Sequence, residues 1–103
     1  MRASEILSKA ADLIEPEGKW CQGSYSNGFG GLCALGAIGE VEGCIVAGRD
    51  FDKSVRFLLD VIDHEKRSVA IWNDAPERTQ AEVVSAIRKA AHLAKEQEPS
   101  DAL

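Results

Sequence analysis

A thiol at the start of a helix is the first chemically suggestive feature of this chain. Cys33 follows a loop rich in Gly, Ser and Asn and begins an apolar segment, in the run WCQGSYSNGFGGLCALGAIGEV from Trp20 to Val41. Unpaired amides and the helix dipole at such a position favour the thiolate, the nucleophilic form. Nucleophilic catalysis also needs a base, and the chain offers His64 and His92. His64 sits in a charged turn after a helix. His92 falls off the apolar face of the last helix and should point to solvent. With no histidine placed beside it, Cys33 reads first as a small buried core thiol, and cysteine chemistry is the alternative.

Other chemistries find less. Cys21, Cys33, Cys44, His64 and His92 are numerous enough for zinc but lack the close paired spacing of metal sites, so no metal is expected. Gly28-Phe29-Gly30-Gly31 precedes a helix, as phosphate-binding loops do. It lacks their lysine and serine or threonine and misses the dinucleotide fingerprint, so it reads as a flexible turn, with binding of a small anionic or polar ligand the alternative, and no cofactor is expected. The acidic residues are scattered over exposed faces, which gives carboxylate-pair catalysis no support.

Trp20, Trp72, Asn73 and Asp74 form the sharpest pattern. Two tryptophans in loops beside capped helices either close the ends of a small core or wall a pocket. In a pocket, Asn73 and Asp74 would supply oriented polar groups. With the neighbouring Gly31 and Cys33, these residues are the candidate ligand- or partner-binding set: Trp20, Gly31, Cys33, Trp72, Asn73 and Asp74.

Four helices must position them. Ala3, Ile6, Leu7, Ala10, Ala11 and Ile14 recur at helical spacing over residues 3–15, and Pro16 ends that helix. Five glycines (18, 23, 28, 30 and 31) mark the following loop. A second helix over about 32–41 carries almost no polar side chain, so the other helices should surround it. Gly36 and Gly39 within it suggest close approach of a neighbouring helix, and Gly43 caps its end. Cys44-Ile45-Val46-Ala47 reads as a buried connector or short strand. Asp50 or Asp52 can cap a third helix over 51–63, with Phe51, Val55, Leu58, Leu59 and Ile62 in one stripe. Val69-Ala70-Ile71-Trp72 suggests a short strand or extended buried loop, and Asn73 to Pro76 has turn chemistry. Thr79 and Glu82 fit a capping box before a fourth helix over 80–96, whose buried face is Val83, Val84, Ile87, Ala90, Ala91 and Ala94. The expected fold is therefore all-α, with at most one short strand: a compact four-helix domain over residues 1–96 around a central apolar helix, followed by a flexible tail, 97–103.

A chain of 103 residues is one domain, able to bury roughly 60–70% of its unfolded surface without metal or cross-links. The 17 acidic and 12 basic side chains give a net charge of -5, which argues against direct nucleic-acid binding. No signal peptide or membrane span is visible, and three widely spaced cysteines suit a reducing compartment, so the expected location is cytoplasmic.

The layout Trp20, Gly23, Gly31, C-A-L-G-A at 33–37, W-N-D at 72–74 and Thr79-x-x-Glu82-Val83 resembles a family of small uncharacterised bacterial and phage proteins. That family is a domain of unknown function, and the resemblance covers about residues 3–96. It implies no activity or cofactor. The leading expectation is a non-enzymatic interaction or ligand-binding module, with the Trp20/Trp72 region as contact surface. Its partner is a protein, another copy of this chain included, or a small polar ligand. The alternatives are a cysteine-dependent enzyme centred on Cys33, and an acidic phage or mobile-element antagonist of a host nucleic-acid-binding protein.

Overall fold

Helices joined by irregular segments make up the computed structural model, which describes residues 2–43, 49–62 and 68–98. They are α1 (Ala3–Ile14), α2 (Ala34–Glu42), α3 (Arg49–Ile62), α4 (Val69–Asn73) and α5 (Gln80–Gln97). The connector containing Cys44 to Ala47 and the turn containing His64 to Arg67 lie outside the described residues. The fold is mostly helical, and the described extended segments form only isolated bridges, Trp20 with Leu32 and Ser26 with Leu32.

The apolar periodicity explains the main helix pair. Ala3, Ile6, Leu7, Ala10, Ala11 and Ile14 of α1 are buried, and they meet a buried face of Val83, Val84, Ile87, Ala90 and Ala94 on α5. Full burial of a Leu, Ile or Val contributes about 1.5–3 kcal/mol before entropy is counted. The α1–α5 pairing is the widest in the molecule; α1 also contacts α2 and α3, while α2 lies against α1, α3 and α4. Glu15 stops α1 one residue before Pro16, and Gly43 ends α2 at φ 80° in the left-handed region. The Thr79–Glu82 box is formed in both directions: Glu82 N donates to Thr79 Oγ1 at 3.2 Å, and Thr79 N donates to Glu82 Oε1 at 3.0 Å.

The polar ends of α5 hold both ends of α1. Gln80 Nε2 donates to the carbonyl of Ile14 (2.7 Å), at the end of α1, and to that of Pro16 (2.8 Å), which also accepts from Lys19 N at 3.1 Å. Glu98 accepts from Ser4 N at 3.0 Å and from Ser4 Oγ at 2.7 Å, so its carboxylate caps the N-terminus of α1. Glu98 falls in the segment expected to be a tail, but its side chain is docked.

Two expectations are corrected. Residues 69–72 are not a strand or extended loop; Val69 to Asn73 form a single helical turn, making five helices among the described residues where four are expected. Val69 and Ile71 mimic a strand pattern, but a strand needs a partner edge. Ser68 Oγ instead accepts from Ile71 N at 3.2 Å and Asp74 N donates to Ala70 O at 3.0 Å, so the turn satisfies itself. Asp50 and Asp52 do not precede α3, because the helix already begins at Arg49.

Candidate functional site

The segment after α1 returns along itself. Leu32 N donates to Lys19 O at 2.9 Å and Cys21 N to Leu32 O at 3.1 Å, which pairs Trp20 with Leu32 in parallel. Between these strands of the loop, residues 22–30 are exposed. They are nevertheless held. Asn27 Oδ1 accepts from Phe29 N (2.8 Å) and Gly31 N (3.0 Å), while Asn27 N donates to Gly31 O at 3.1 Å. Gly31 is buried there, and a methyl group built on it would press on the Asn27 carboxamide. Gly28 and Gly30 adopt φ of 77° and 92°, a region that glycine enters without strain.

Asn73 joins this loop to the helices. Its side chain is fully buried. Oδ1 accepts from Trp20 Nε1 at 2.8 Å and from Ala34 N, at the start of α2, at 3.1 Å. Nδ2 donates to Cys21 O at 3.1 Å and to Asp74 Oδ1 at 2.9 Å. Both lone-pair positions and both amide hydrogens are therefore used. Asp74 Oδ1 also accepts from Gly23 N at 2.9 Å. Gln22 Nε2 donates to the carbonyls of Asn73 (2.9 Å) and Ala75 (2.8 Å).

The link between the two tryptophan-bearing segments thus runs through a carboxamide. Trp20 is half-buried and Asp74 exposed, whereas Trp72 and Cys33 are buried, with 6% and 3% of their surface exposed. The Trp72 ring carries the Arg78 guanidinium at 4.5 Å from its centre, and Arg78 Nε donates to Trp72 O at 2.9 Å. Two surface grooves lie elsewhere. One runs along Ser4, Ser8, Arg88, His92 and Lys95, and the other along Lys9, Asp12, Glu40 and Val41.

Cys33 precedes α2 as its N-cap, and its Sγ accepts from Gly36 N at 3.3 Å. Burial pushes the thiol above its ordinary value. The Gly36 and Leu35 amides pull it down less than that, and Cys21 and Asp74 push it further up. Desolvation therefore outweighs the helix terminus. Cys21 is likewise raised, first by burial and then by Asp74, against hydrogen bonds at Ser24 and Asn27. His92 is 79% exposed and lies 3.2 Å from Glu96. Among the described residues, no group of three or more His, Cys, Asp or Glu is arranged to hold a metal ion.

Five of the amides that could cradle an anion are occupied. Gly28 N donates to Ser26 Oγ, Phe29 N and Gly31 N to Asn27, Ala34 N to Asn73 and Gly36 N to Cys33. Gly36 does serve close approach, but of the loop and not of a helix: a methyl group there would overlap the Tyr25 carbonyl oxygen.

The family of unknown function DUF6197 matches residues 1–93. The chain belongs to that family. No curated protein and no solved structure matches it. The W-N-D and C-A-L-G-A segments are where this member of the family joins loop to helices, through Asn73 and the amide of Ala34. Gln22, Tyr25, Phe29 and Arg78 were missed by the sequence reading. A large aromatic residue between glycines, as Phe29 is, was the available signal for an exposed loop tip; Gln22 and Arg78 carry no comparable mark.

Proposed function

We propose that this domain is a non-enzymatic binding module that presents the loop from Gln22 to Gly31 to a protein partner or small polar ligand in the cytoplasm of a bacterial or phage-infected cell. The observation that carries this reading is the Phe29 ring, 90% exposed at the tip of a loop whose backbone is held by Asn27. Tyr25, 47% exposed, stands on the same loop, with half-buried Trp20 and exposed Asp74 at its base. Aromatic side chains dominate binding energy at interfaces, and a pre-ordered loop loses less entropy on association. Trp72, Asn73 and Cys33 act here as the frame that fixes the loop, not as contacts. The enzymatic alternative has less support, because Cys33 is buried and its thiol is pushed up.

Affinity capture from the native host with the wild-type chain and with Phe29→Ala and Tyr25→Ala variants tests the reading. Species retained by wild type should be lost by both variants, and binding of a purified partner should shift Trp20 fluorescence. Equal capture by the double variant, with its fold intact, would remove the loop as the contact surface.

A further inference from the structure

Beyond that reading, we infer that Cys21 and Cys33 are a disulfide-forming pair, a covalent modification site that ties the loop to the start of α2. Both cysteines are free. An isolated parallel bridge joins Trp20 to Leu32, and Cys21 and Cys33 are the next residues along the two bridged segments. Parallel neighbours stand roughly 4.8 Å apart, inside the roughly 4.4–6.8 Å between Cα atoms that a disulfide spans. Side chains alternate along extended backbone, so both thiols leave the face opposite to Trp20 and Leu32. Burial agrees: Trp20 and Leu32 are half-buried, whereas Cys21 and Cys33 are buried. A charge on Cys21 is also among the causes that raise the Cys33 thiol, as expected of close neighbours.

The oxidant is a disulfide of the glutathione class. Cys21, 9% exposed against 3% for Cys33, is the more accessible thiol. Having lost its proton to solvent, Cys21 Sγ attacks one sulfur of glutathione disulfide; that S–S bond breaks and one glutathione thiolate leaves. Cys33, deprotonated in turn, attacks Cys21 Sγ in the mixed disulfide and expels the second glutathione. The cysteines together lose two electrons and two protons, and glutathione disulfide becomes two thiols. The new bond withdraws Cys33 Sγ from Gly36 N and Cys21 Sγ from Ser24 O, so oxidation exchanges a helix cap for a covalent link.

The third cysteine supplies an internal control. Cys33 and Cys44 are 11 positions apart and Cys21 and Cys33 are 12, so an unfolded chain closes either loop at nearly equal cost. A preference for Cys21–Cys33 therefore reports the fold. The experiment treats the whole chain with glutathione disulfide at about pH 8, folded and in denaturant, and maps cross-links by mass spectrometry after cleavage behind Tyr25, Phe29 and Leu35. The folded wild type and Cys44→Ser should lose two hydrogens in a Cys21–Cys33 link, and denaturant should abolish the preference. Cys33→Ser should stop at a glutathione adduct on Cys21. The rate should climb about tenfold per pH unit between about pH 7 and 9, since both thiols are held up. Adducts without a cross-link in folded wild type, a link to Cys44, or the same preference in denaturant would overturn the pair.

Discussion

The α1–α5 pair and the loop region around Asn73 are held together in opposite ways. In the helix pair, many apolar side chains share the work, and the polar contacts of Gln80 and Glu98 sit at the rim. In the loop region, residues 22–30 are exposed and one buried carboxamide joins Trp20, Cys21, Ala34 and Asp74. Apolar packing tolerates the loss of any one polar contact at its edge. A buried polar hub does not, because its partners are left without water or a replacement.

Asn73→Ala is the strongest way to break that contrast. It strands Trp20 Nε1, Ala34 N and Cys21 O, and should cost about 3 kcal/mol or more, seen as a lower urea midpoint. Gln80→Ala, which frees groups at an exposed rim, should cost about 1 kcal/mol or less. If the two variants unfold at the same urea concentration, the hub is not what separates the regions.

Gly36→Ala comes next. In an exposed helix this change stabilises by about 1 kcal/mol. Here the added methyl group meets the backbone carbonyl of Tyr25, which itself accepts from Cys33 N at 3.1 Å. Overpacking of this kind costs about 1–3 kcal/mol, so the sign should reverse. A thermal melt showing stabilisation would mean that the loop does not bear on α2.

The same contrast explains what could be read beforehand. The buried faces of α1 and α5 and the Thr79–Glu82 cap were legible because period and capping chemistry are local. The role of Asn73 is only half legible in the sequence: W-N-D has turn chemistry, but three of the four partners of the Asn73 side chain lie 39 to 53 residues away in sequence. Val69 and Ile71 misled because β-branched residues satisfy a strand pattern, while a serine cap and a single turn decide the outcome. Cys33 was rightly placed at a helix start, but its burial depends on the loop folded over it, which no spacing within α2 encodes.

The rim of the helix pair should show its smaller contribution as a pH dependence. Burial alone would raise the Glu98 carboxyl, but the Ser4 hydrogen bonds and the charges of Arg2 and Lys95 outweigh it and hold it below the usual value. A carboxyl depressed on folding stabilises above its unfolded value, about 4.3, and that stability is lost as pH falls through the folded value. Wild type should therefore exceed Glu98→Gln in stability at neutral pH, by about 1 kcal/mol, with the gap closing below about pH 4. A gap that persists unchanged in acid would show that the carboxylate charge is irrelevant to the cap.

Phe29→Ala should do least to the fold and so isolates function from stability. The ring is 90% exposed, and its backbone amide is held by Asn27 whatever side chain it carries. Stability should stay within about 0.5 kcal/mol of wild type, as for other surface changes. If the ring adds little to the fold, as its exposure implies, the proposed binding role is what Phe29→Ala would test. A clear loss of stability in Phe29→Ala would mean that the ring folds back onto the domain, and the loop would then belong to the core it covers.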